Sequence, residues 1–139
     1  TRDIWMYVPS IDPSEGFRID GNGTFTKLTS FNGEDRNPVF ELGGTAYYYL
    51  SEQDGTLNIY YTDSLHDQLF NGGSIKSKQI TFYKGNPVRY LSISHNGTLC
   101  YSYDGELYTI KSGGQPEKVN IRIVTDQIEK ESEIQTLTS

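Results

Sequence analysis

The sequence has a single cysteine, two histidines and no long apolar run, and each scarcity removes a class of protein. Cys100 has no partner for an intramolecular disulfide, and it sits in an apolar alternation that predicts a buried thiol. No apolar stretch approaches the ~18 residues needed to cross a bilayer. The opening Thr1-Arg2-Asp3 is not a signal peptide, and a signal preceding these residues in a longer parent stays open, so localisation is left between cytoplasm and periplasm. Basic residues are outnumbered, 12 against 18 acidic, for a net charge of −6, and they are scattered rather than gathered in a stripe. That distribution argues against a nucleic-acid partner. Residues 125–139 lack glycine, proline and aromatics and carry Asp126, Glu129, Glu131 and Glu133, the composition of a solvated tail or of a connection to the next blade.

What is abundant is tyrosine and glycine. Eleven tyrosines and six phenylalanines dominate the apolar fraction, and 14 glycines punctuate 139 residues, a length that fits one domain. Aromatic residues favour strands, tyrosine suits sheets that bury a ring and keep its hydroxyl wet, and frequent glycine implies many tight turns.

The strands come in a repeat. Lys27-Leu28-Thr29-Ser30-Phe31 precedes Gly33, Asn37-Pro38-Val39, the run Tyr47-Tyr48-Tyr49, Asp54-Gly55 and Leu57-Asn58-Ile59-Tyr60. Gln79-Ile80-Thr81-Phe82 then precedes Gly85, Asn86-Pro87-Val88, a run from Leu91 to Tyr101, Asp104-Gly105 and Glu106-Leu107-Tyr108. Matching landmarks lie roughly 48 to 53 residues apart, near the ~40–50 of β-propeller blades and unlike the ~33 of helical-pair repeats. Asn-Pro is placed at the start of a strand, where a missing N–H disturbs the ladder least. Gly43-Gly44, Asn96-Gly97 and the two Asp-Gly pairs supply the hairpins.

A fourth strand is expected over 77–82 in one unit and 118–124 in the other. Upstream, 3–8 and 24–29 read as the last two strands of a preceding unit, joined by a loop containing Pro9, Pro13 and a turn at Gly21-Asn22-Gly23. The fold class is therefore all-β: a β-propeller fragment of about two four-stranded antiparallel blades plus part of a preceding one. Residues 1–124 form the partial propeller, with 1–29 ending one blade, 30–82 the second and 83–124 the third. Such blades lean on neighbours, and bare faces at both ends predict self-association of the isolated segment.

Three segments resemble a known family. Lys27 to Phe40 looks like the blade junction of tricorn-like serine proteases and their TolB-type propeller relatives. Ser112-Gly113-Gly114-Gln115-Pro116-Glu117-Lys118 looks like the family's turn into an outer strand, and Ser51 to Tyr60 like its second-to-third-strand hairpin. The resemblance covers about 3–121. It departs in a longer 9–22 loop, and in Ser94-His95-Asn96-Gly97 where relatives commonly carry Ser-Pro-Asp-Gly. It implies a parent with N-terminal propellers, a PDZ-type domain and a C-terminal serine peptidase domain, the propeller filtering or guiding peptides toward the active site.

No catalytic constellation is present. His66, placed in a polar hairpin, and His95, placed in a turn, have no nucleophile and third group arranged around them, and no Gly-x-Ser-x-Gly elbow occurs. Two separated histidines and one cysteine give no zinc spacing, the Asp-Gly turns lack the further ligands of calcium loops, and the glycine pairs lack a phosphate-loop continuation. No cofactor is implied. Asn22-Gly23-Thr24 and Asn96-Gly97-Thr98 match glycan acceptors but read as turns. Tyr47, Tyr48, Tyr49, Tyr60 and Tyr61, with Tyr101, Tyr103 and Tyr108, read as rings packed between blades, a sugar or peptide platform being the alternative.

The candidate binding residues are Arg36, Arg89 and Asp35, near the starts of inner strands where a propeller channel opens. An ion pair bracing the blade junction is the preferred reading there, and contact with the termini of a passing peptide the alternative. The function expected is a non-catalytic propeller segment of a tricorn-like serine protease, a scaffold or peptide-gating wall partnered by peptides and by other blades and domains of its parent. The alternatives are a TolB-type interaction propeller and a carbohydrate-binding β module.

Overall fold

The structure, a computed structural model, describes residues 2–8 and 23–120. The expected loop over 9–22, the Gly21-Asn22 turn and its acceptor asparagine, strand residues 121–124 and the 125–139 tail lie outside the described residues. Among the described residues ten strands and one short helix follow in the order β1 Trp5–Val8, β2 Thr24–Lys27, β3 Asp35–Phe40, β4 Tyr47–Ser51, β5 Asn58–Thr62, α1 Leu65–Phe70, β6 Ser77–Gln79, β7 Arg89–Ile93, β8 Leu99–Tyr103, β9 Glu106–Ile110 and β10 Glu117–Lys118. β1 pairs with β2, while β3-β4-β5-β6 and β7-β8-β9-β10 are four-stranded antiparallel sheets whose neighbours in sequence are neighbours in space. No helix among the described residues is long and apolar enough to cross a membrane.

Turn chemistry explains the simple order. Asp104 and Gly105 both take positive φ, 50° and 76°, between the paired residues Tyr103 and Glu106. Two left-handed residues match the twist of the flanking strands, so Asp-Gly closes that hairpin with no residue to spare. Gly43 and Gly44 also adopt positive φ, inside a reversal closed by the Glu41 amide on the Ala46 carbonyl.

The two sheets repeat in register. Tyr49 faces Tyr60 on the neighbouring strand, as Tyr101 faces Tyr108. Both first strands break step with their partners at a bulge, between Arg36 and Val39 in β3 and between Arg89 and Ser92 in β7. Each bulge contains one non-glycine residue of positive φ, Asn37 at 55° and Tyr90 at 56°. Asn37 therefore corresponds to Tyr90, and the match of Asn37-Pro38-Val39 to Asn86-Pro87-Val88 is out of structural register. β3 begins before its Asn-Pro, and Pro38 sits in the bulge, where a missing N–H leaves no ladder bond unmade. Asn86 instead donates to the Asp104 carboxylate (3.0 Å) ahead of β7.

The half-blade obeys the same rules. Ile4 N–H donates to the Thr29 hydroxyl at 2.9 Å, as Ile59 N–H does to Thr81 at 2.9 Å. Leu28, Ile80 and Val119 each donate a backbone N–H, at 2.8 Å, to Ile4, Ile59 and Leu107 respectively. β1-β2, β5-β6 and β9-β10 are thus equivalent pairs. The threonine hydroxyl takes a ladder position from the backbone, which ends β6 at Gln79 instead of carrying it to Phe82.

Alternation places the cores. Tyr47, Tyr49 and Tyr60 pack with Ile4 and Leu28 of the half-blade, while Leu50, Leu57 and Ile59 pack with Val88, Leu91, Leu99, Tyr101 and Ile110 of the last sheet. Two expectations are corrected. His66 lies on α1, because Leu65, Gln68 and Leu69 recur at helical spacing and give the 63–76 link a face to bury. Cys100 is half-buried, because it pairs with Ser92 and Thr109 on the face turned away from the preceding sheet.

Candidate binding surfaces at the blade junction

β3 lies against β7, which makes the first strands of the two sheets neighbours. The contact is built around Asn37. Its side-chain Nδ2 donates to the Leu91 carbonyl at 3.0 Å, and its Oδ1 accepts from the Leu91 N–H at 3.0 Å. A side-chain amide thus reproduces the reciprocal bonding of a ladder pair between strands that share no sheet. The positive φ at Asn37 aims the amide there, and asparagine tolerates that conformation better than most residues.

Beside this clamp, Arg36, Asn37, Leu50, Arg89 and Tyr90 enclose a depression of about 210 Å³. Arg36 pairs with Leu50 and Arg89 with Ser102, equivalent rungs of the two ladders, so the arginines repeat from blade to blade. Neither guanidinium makes an ion pair or hydrogen bond among the described residues, whereas Lys27 is held by Asp3 at 2.9 Å and Lys84 by Asp54 at 2.8 Å. Tyr90, 78% exposed, forms an aromatic rim. Two free planar cations beside a ring suit a carboxylate.

The structure brings Arg36 and Arg89 together and separates Asp35 from both. Asp35 pairs with Ser51 on the opposite face of the same sheet and is 1% exposed, so the ion pair expected at this junction is not formed. Among the described residues neither carboxylate oxygen closes a well-formed hydrogen bond, although donors stand near it. Burial pushes the Asp35 carboxyl above its ordinary value; the nearby Ser51 and Thr29 hydroxyls and the Phe31 backbone temper the rise, and the Asp3 charge adds to it. The corresponding position in the last sheet is apolar: Asp35 N–H donates to the Arg2 carbonyl as Val88 N–H does to Leu57, and Val88 is 0% exposed.

The tyrosines divide by face. Tyr49 stacks on Tyr60 at 5.9 Å, and Tyr101 on Tyr108 at 5.6 Å, within the junctions. Burial raises the Tyr60 hydroxyl to about 12 and pushes Tyr47 and Tyr101 further. Tyr47, Tyr49, Tyr60 and Tyr101 are buried and offer no platform. Tyr48 and Tyr61, half-buried and 4.8 Å apart, are different. They help line a cleft of about 800 Å³ between the two sheets, with Lys78 and Phe82 on one wall and Lys111 on the other. Sequence reasoning missed this cleft; its one signal is the unequal length of the links 63–76 and 111–116. His66 stacks on Phe70 at 5.0 Å and His95 sits exposed in its turn. Among the described residues no three His, Cys, Asp or Glu side chains gather to hold a metal ion.

The fold is shared with solved structures. The chain matches the tricorn protease at 22% identity and a TM-score of 0.53, over 68% of this chain and 8% of that one. It matches TolB from Acinetobacter baumannii at 21% identity and a TM-score of 0.55, over 84% of this chain and 30% of that one. This is a β-propeller fragment. A gluconolactonase from Xanthomonas campestris matches at 15% identity and a TM-score of 0.52, over 85% of this chain and 44% of that one. The chain thus spans less than half the length of each of these three structures. No family model and no curated protein sequence matches it. The clamp and the two arginines thus lie on the neighbouring first strands β3 and β7.

Proposed function

We propose that this chain is a non-catalytic propeller segment of a tricorn-like serine protease, serving as scaffold and as a wall that engages peptides by their carboxylates. The observation that carries the reading is the pair of guanidiniums, Arg36 and Arg89, without a partner among the described residues, repeated at the bulges of adjacent first strands and sharing one depression with Tyr90. A scaffold alone gives no reason to hold two cations without anions at the same rung of consecutive blades. The C-terminal carboxylate of a peptide, or an acidic side chain along it, supplies the missing partner in bidentate form.

Calorimetric titration of the 139-residue chain with a short peptide, as free acid and as C-terminal amide, tests this. The free acid binds more tightly, and Arg36→Ala or Arg89→Ala weakens it about tenfold, the ~1.5 kcal/mol of one charge-assisted bond. Equal affinity for acid and amide, unchanged by either substitution, would falsify the reading. Were this chain instead a protein-interaction propeller of the TolB type, the same two arginines would hold the partner's carboxylate. The full gene product separates the two, since a tricorn-like parent carries a PDZ-like region followed by a serine peptidase domain.

A further inference from the structure

Blades set radially around an axis splay apart toward the rim, and the two junctions of this chain treat the resulting wedge differently. At the first, α1 fills it. Leu65 is buried with Ile4, Leu28 and Tyr47, and Leu69 and Ile75 pack against that cluster. Gln68 reaches both walls: its Nε2 donates to the Leu28 carbonyl of the half-blade, and its Oε1 accepts from the Tyr47 hydroxyl of the next sheet at 3.1 Å.

At the second junction the link that would carry such a helix is reduced to 111–116. The ladder register assigns counterparts to the walls that α1 touches: Ile80 for Leu28, Leu99 for Tyr47 and Ile110 for Thr62. All three line the cleft of about 800 Å³. Its outer wall leaves Phe82 65% exposed, a large ring that nothing in the described chain covers. Lys78 and Lys111, on opposite walls, make no ion pair or hydrogen bond among the described residues. The lining's carboxylate, Glu41, already accepts from the Tyr48 hydroxyl at 3.3 Å.

We infer that this cleft docks a short amphipathic helical segment of a partner protein. The segment presents two leucine-type side chains at i and i+4 with acidic residues beside them, in the place that α1 takes at the neighbouring junction. The molecule itself shows what the same wedge holds when a helix is supplied in cis. Apolar walls with cations at the mouth select the chemistry of the helix, and the six residues of α1 set its length. The site is separate from the arginine depression and does not depend on it.

The probe is a fluorescent, end-capped peptide with the chain's own α1 sequence, Asp63 to Asn71, titrated into the 139-residue chain and followed by anisotropy. Saturable binding is expected. It weakens about tenfold when Phe82→Ser and Lys78→Glu are combined, two exposed positions whose substitution leaves the core intact, as circular dichroism will verify. It is lost when both leucines of the peptide are serine, a change that leaves the peptide's carboxylates in place. No saturable binding, or equal binding to the double variant, or equal binding of the serine peptide, overturns the inference.

Discussion

Asn37 clamps Leu91 by both of the latter's backbone groups, N–H to Oδ1 and C=O to Nδ2, each at 3.0 Å. The bond pair crosses from one sheet to the next at the bulge where backbone pairing lapses, so it satisfies two groups that burial would otherwise strand.

Asn37→Gly keeps the left-handed backbone available and deletes only the amide. Loss of about 2 kcal/mol in urea unfolding is expected, since two half-buried backbone groups lose their partners at ~1 kcal/mol each. Asn37→Ala is expected to cost more, because alanine at a φ of 55° adds backbone strain. Equal stability of the glycine variant and the parent would remove the clamp from the energetics of the junction.

Asp35 stands where the other junction has Val88, and the chain is less stable for it at neutral pH. Because burial raises the folded carboxyl above the ordinary 3.8, the unfolded chain releases its proton first as the pH climbs. Stability therefore falls through the window between 3.8 and the raised folded value, and stays reduced above it. Asp35→Asn is expected to raise stability at pH 7, where it removes a buried charge, and to gain nothing well below pH 3.8, where both states hold the proton. Thermal melts across that range check the sign; a gain that grows toward low pH contradicts it.

The two ends of the fragment are unlike. Trp5, Tyr7 and Phe25 stand exposed on the half-blade, while the open face of the last sheet carries Ser92, Cys100, Ser102 and Thr109 around Leu107. Large rings against small side chains favour head-to-tail association of copies, a heterologous contact. Multi-angle light scattering is expected to give a mass that rises with concentration above one chain and returns toward it in Phe25→Ser. A single-chain mass at every concentration counts against this.

The hairpins were legible in the sequence because Asp104-Gly105 has one conformation that closes two strands. Arg36 and Arg89 were legible as candidates because both follow the turn into a first strand. The correspondence of Asn37 with Tyr90 was hidden, since a bulge is set by backbone geometry and the Asn-Pro-Val triplet recurs four residues out of register. Asp35 looked accessible from its neighbour Arg36, yet adjacent strand residues face opposite ways, and only the position of the preceding sheet decides which one is buried. α1 escaped notice because six residues carry too little periodicity, and the wedge that stabilises them exists only once two sheets are side by side.

Consecutive sheets lean together through equivalent first strands. Nuclear Overhauser measurements on the isotope-labelled chain reach that contact directly. Cross-peaks between the Asn37 side-chain amide and the Leu91 backbone N–H are predicted, with slow exchange of that N–H. Their absence, while the Tyr49–Tyr60 and Tyr101–Tyr108 cross-strand peaks within each sheet remain, would contradict the arrangement and the binding surfaces derived from it.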